Sequence, residues 1–161
     1  MKNEFISQYA HTWRVFSALV NDFDNEAWLT TGRDATTPAR LSFHILKATK
    51  FYIEDQSVTN FSSGKKFDMD SVQAKENELP SKDDILESIA YFSKKTKDWL
   101  TEIDYLATNE TFPWAGKTKT GLVLFLLRHS VYHLGELSSL LNESKMGAVE
   151  DNYVKTLEGN L

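Results

Sequence analysis

The chain has 161 residues, 41% of them hydrophobic, and its 18 basic and 23 acidic side chains give a net charge of -5 at neutral pH. That length suffices for a single domain with a full core, and lysines scattered over Lys65, Lys66, Lys94, Lys117 and Lys119 form no basic face, which argues against a nucleic-acid partner. Cysteine is absent, which excludes disulfides, thiolate metal sites and a cysteine nucleophile; the N-terminus lacks a signal-peptide pattern and no apolar run approaches the ~20 residues of a membrane span, so a cytoplasmic protein with no membrane partner is expected.

In residues 3–23 the apolar positions Phe5, Tyr9, Trp13, Phe16, Val20 and Phe23 recur at steps of four or three, the stripe of an amphipathic helix. A polar stretch with turn chemistry, TTGRDATT, follows. The second helix is expected over 38–58, with Thr37 as N-cap, Pro38 at the first helical position, and a core face of Leu41, Ile45, Ala48, Phe51 and Tyr52. The next segment, TNFSSGKKFDMDSVQAKENELP, lacks a period and exceeds the ~2 to 8 residues that usually join bundle helices, so it can cross the domain or cover a site.

Ser81 can cap a third helix over 81–106, with Asp83 and Asp84 at its positive end and a stripe of Ile85, Ile89, Phe92, Thr96, Trp99, Ile103 and Leu106. A breaker-rich loop, TNETFPWAGKTKTG, leads to a fourth helix over 121–142, and the tail 143–161 can hold a short helix or lie over the bundle. No strand pattern or repeat is visible. The expected class is all-α, a four-helix bundle in one domain, 1–161.

The inward stripe of the fourth helix reads Leu122, Leu126, His129, His133, Leu137 and Leu140, so two imidazoles stand on adjacent turns within the apolar face. Side chains at i and i+4 lie ~5 to 6 Å apart at Cβ, close enough to share a metal ion. On a wheel of ~100° per residue His44 falls about 50° from the centre of the second helix's core face, whereas His11 falls about 150° from that of the first and is expected to face solvent. Two readings compete: core histidines satisfied by hydrogen bonds, or a metal site of His44, His129 and His133. Three unpaired buried imidazoles would cost roughly 1 to 3 kcal/mol apiece, and no matching excess of buried carboxylates is visible, which favours the metal.

These residues carry a resemblance. His44 within ARLSFHILKATKFY, and His129, His133, Gly135 and Glu136 within RHSVYHLGEL, in a chain of four helices, resemble the DinB-like superfamily, which includes the YfiT-type thiol transferases. The resemblance implies a divalent metal, nickel or zinc, on the three histidines. It further implies transfer of a low-molecular-weight thiol to a small-molecule electrophile, or a metal-assisted hydrolysis or isomerisation. Family members often carry a histidine where this chain has Tyr132, a departure that leaves the three ligands intact. The competing function is a non-catalytic metal-binding or stress-response bundle, or a bundle with ordinary core histidines and a role in protein interaction.

Three neutral nitrogen ligands leave a tetrahedral ion one open position, where it can ionise water or a thiol or polarise a carbonyl. Catalytic groups beyond the ligands are not assigned. Glu136 can accept an N–H from a ligand, act as a base, or be a solvated helix carboxylate; Tyr132 is expected to pack at a helix flank. Trp114 can wall the pocket or anchor its loop. Gly135 costs ~1 kcal/mol relative to alanine and points away from the histidines, so another backbone is expected to approach it. With Leu124, Leu127 and Val131 it marks a face for a homodimer, unless the tail or the long loop covers it.

Overall fold

A computed structural model describes residues 1–33, 36–54, 59–60, 66–67, 75–146 and 152–157. Its helices are α1 (Lys2–Asp22), α2 (Asn25–Thr30), α3 (Pro38–Glu54), α4 (Lys82–Glu102), α5 (Lys119–Ser144) and α6 (Asn152–Lys155). Two-residue strands β1 (Thr59–Asn60) and β2 (Lys66–Phe67) pair antiparallel, Thr59 opposite Phe67 and Asn60 opposite Lys66. The four long helices form the expected all-α bundle, with α1 packed on α4 and α5 and α3 packed on α5 and α4. Residues 55–58, placed in the second helix from the sequence, and most of the long segment after it lie outside the described residues.

The apolar periods become the core. Tyr9, Trp13, Phe16, Val20 and Phe23 meet Leu41, Ile45, Ile85, Ile89, Phe92, Leu126 and Leu137, all buried. Polar pins fix the registers: the Tyr9 hydroxyl donates to the Val123 carbonyl at 2.7 Å, tying α1 to α5. Lys47 on α3 is also buried, its ammonium 5.7 Å from the centre of the Phe43 ring.

Helix ends obey local chemistry more closely than periodicity does. Ser81 and Asp84 form a reciprocal capping box at the start of α4, with the Ser81 N–H donating to the Asp84 carboxylate at 2.9 Å. Thr37 stands at the expected cap of α3, and its carbonyl accepts from Leu41 N at 2.9 Å, but its buried hydroxyl has no partner among the described residues. At the end of α4 the chain turns extended at Ile103, so Leu106, expected on the core stripe, falls beyond the helix and is 82% exposed. The short α2, between the first helix and the polar turn, was not expected from the sequence and is held because Trp28 is buried and donates to the Pro80 carbonyl at 3.0 Å.

Between α4 and α5 the loop is organised by backbone bonds from Asn109 N to Lys117 O and from Lys119 N to Ala107 O, and the Asn109 amide spans to the carbonyls of Phe112 and Gly116. Gly116 has φ +131°, and a Cβ there would lie 2.7 Å from the Gly121 Cα, so the loop seats on the first turn of α5 through a pair of glycines.

His11 corrects the expectation that it faces solvent. It is buried, because the C-terminal segment folds over that side of α1: its Nε2 lies 3.1 Å from the Tyr153 carbonyl and 3.2 Å from the Thr156 hydroxyl, with the Tyr153 ring edge-on. At Gly135, where another backbone was expected, nothing among the described residues lies within 4 Å of a Cβ built there. Gly135 borders a cavity of about 190 Å³ between α1, α5 and α6. No helix among the described residues is long and apolar enough to cross a membrane.

Candidate metal centre

Helix α3 supplies His44 and α5 supplies His129 and His133, each half-buried, and the packing of these two helices brings the three rings together. His44 Nε2 and His129 Nε2 are 3.2 Å apart, and the ring centres lie 5.1 Å (His44 to His129), 4.6 Å (His44 to His133) and 4.5 Å (His129 to His133) from each other. One ring nitrogen from each lies within 4.8 Å of the other two. Tetrahedral zinc with bonds of about 2.0–2.1 Å separates its nitrogen ligands by about 3.3 Å, so a divalent ion fits the cluster after small movements of the rings. His11, on the far side of α1, is not part of it.

Burial and mutual repulsion keep the proton affinity of His129 and His44 low. His129 is pushed down to about 4, first by burial and then by the neighbouring His133 and His44. His44 is lowered by burial and by His133, against the opposing pull of the Glu136 carboxylate. His129 therefore presents neutral lone pairs at neutral pH, the form in which imidazole binds metal.

The surroundings divide into a polar and an aromatic side. Glu136, one turn after His133, places a carboxylate oxygen 2.6 Å from His133 Nδ1. Nδ1 of His129 is buried and has no hydrogen-bond partner among the described residues. Phe125, one turn before His129, stacks on its ring at 6.3 Å between centres, and Tyr52 packs edge-on against Phe125. The Trp114 N–H donates to the Tyr52 hydroxyl at 3.3 Å while its ring is 62% exposed. Phe112, buried against Phe51 and Tyr52, is the residue that anchors this loop, the role one reading gave to Trp114. Tyr132 sits edge-on to His133, largely exposed.

Sequence reasoning had not marked Phe125, Tyr52 and Phe112 as neighbours of the site. Phe125 was within reach, standing at i−4 from His129. The other two approach through the loop's path.

Fold and site together define a four-helix bundle with a three-histidine cluster clasped between two of its helices, and no fourth histidine, cysteine or carboxylate joins the group among the described residues. A family model of the DinB superfamily matches residues 8–137, a span that contains all three histidines and Glu136. The chain belongs to the DinB superfamily. No curated protein and no solved structure matches it significantly.

Proposed function

We propose that this protein is a divalent-metal-dependent enzyme acting on a small molecule, with His44, His129 and His133 as the metal ligands. The observation that carries the reading is the convergence of three imidazoles without a fourth protein ligand among the described residues, the donor set of a catalytic rather than a structural site. When bound, a divalent ion of this kind supplies a Lewis acid at a position open to substrate. Around it, Glu136 holds the Nδ1 proton of His133, and Phe125, Tyr52 and Trp114 offer aromatic surface to an apolar part of the substrate. Zinc and nickel both suit an all-imidazole set.

The reaction we favour is transfer of a low-molecular-weight thiol to an electrophile in the cytoplasm. A chain with no cysteine must take its thiol from a cosubstrate. Metal analysis of protein purified without a nickel column, set against His129→Ala and His133→Ala, tests the site: one ion per chain is expected in wild type and a loss of more than tenfold in affinity in each variant. Wild type that takes up no stoichiometric zinc or nickel on reconstitution would overturn it. A screen of thiols with a chromogenic electrophile then tests the reaction.

The proposal extends to self-association through the outer face of α5. Leu124 and Val131 are 50% and 47% exposed there, and the C-terminal segment, with Tyr153 across the cavity, sits beside this face. Size-exclusion chromatography with light scattering that finds only monomer at tens of micromolar would remove the dimer.

A further inference from the structure

We propose that Glu136 is a positioning residue of the cluster: its carboxylate takes the Nδ1 proton of His133 and so fixes Nε2 as the nitrogen offered to the ion. The inference rests on the metal-dependent reading above. Its starting point is the 2.6 Å separation of Glu136 Oε2 and His133 Nδ1, a short charge-assisted hydrogen bond between residues three apart on α5. A carboxylate can only accept, so the proton lies on Nδ1, and the remaining lone pair is on Nε2. A free imidazole interconverts between two tautomers; this one is held in the form that binds metal through Nε2.

The three histidines are not equivalent. Among the described residues a carboxylate meets only His133, whereas His129 keeps Nδ1 buried and unpartnered, so nothing comparable fixes its ring. His133 is thus the best-prepared ligand. Glu136 also brings a carboxylate against an otherwise all-imidazole donor set. The carboxylate is directed at the cluster rather than spent on a lysine or arginine: of the ion pairs seen among the described residues, the one it forms is with His133.

The test uses the full chain with Glu136→Ala and Glu136→Gln. Long-range proton–nitrogen spectra of the metal-free proteins at pH 8 are expected to show His133 as a single Nδ1–H tautomer in wild type. Glu136→Ala should relax it to a mixture, and Glu136→Gln, whose amide oxygen still accepts, should retain it. Zinc affinity, measured by competition with a chromophoric chelator, should fall roughly 10–100-fold in Glu136→Ala and by less in Glu136→Gln, with thermal midpoints of the metal-free proteins unchanged. A His133 tautomer that is the same in wild type and Glu136→Ala overturns the inference whatever the zinc result. Wild type that shows the expected tautomer change but takes up no zinc leaves Glu136 as the positioning residue and removes the metal-dependent reading instead.

Discussion

Counting the protons displaced by zinc probes the electrostatics of the cluster directly. Three ordinary imidazoles, with pKa about 6.5, are each about nine-tenths protonated at pH 5.5 and would together release about 2.7 protons when an ion binds. His129, held down to about 4 by burial and by its two neighbours, is almost fully neutral at that pH and has nearly nothing to release. With that contribution gone the cluster can release at most two protons, and fewer to the extent that burial also lowers His44. Apparent affinity should fall by no more than two log units per pH unit between pH 6 and 5, where an unperturbed site loses nearly three. Calorimetric titration at pH 5.5 in two buffers of different ionisation heat gives the proton count. A count above about 2.5 would mean that His129 titrates as it does in water, and the argument from burial would fail.

Four further outcomes follow from the structure. As pH falls, the unfolded chain takes up the His129 proton near 6.5 while the folded chain resists until about 4, so the metal-free protein should lose stability progressively across that window, and less steeply in His129→Gln; equal slopes in thermal melts would refute it. His11→Ala removes the contact to the Tyr153 carbonyl and should cost about 1 kcal/mol in denaturant unfolding while leaving zinc affinity unchanged. Ser81→Ala breaks the capping box of α4 and should cost about 1 kcal/mol, a drop in melting midpoint of roughly 2–4 °C. Gly135→Ala should stabilise the chain by about 0.5–1 kcal/mol, since its Cβ meets nothing; a loss of stability that grows with protein concentration would place a partner's backbone against that face.

Where the sequence could be read, it was through features that are local and repeated. The stripe from Tyr9 to Phe23 and the Ser81 cap needed only the 3.6-residue period and the chemistry of a helix start, and both stand in the structure. The pairing of His129 with His133 was equally local. Adding His44 required knowing that α3 lies beside α5, which periodicity cannot say; the core-facing angle of His44 and the family resemblance supplied it.

The misreadings are nonlocal. A helical wheel ranks faces against one helix's own stripe, so it put His11 in water when the C-terminal segment covers it. It also carried the α4 stripe on to Leu106, because no glycine or proline marks the stop at Glu102. The six residues of α2 are too few to show a period, and what holds them is a tryptophan reaching Pro80.

The cluster's histidines are distributed unequally along the chain: His129 and His133 share one helix, while His44 and His129 are separated by 85 positions that include all of α4. A chain still searching for its fold can present the α5 pair from two adjacent helical turns, but must close that long loop before the third nitrogen arrives. An ion held by all three would therefore be a latch between α3 and α5, its binding energy opposing their separation in particular. Hydrogen exchange would register such a latch as slowed opening of those two helices, with fraying at the start of α1 left as it was.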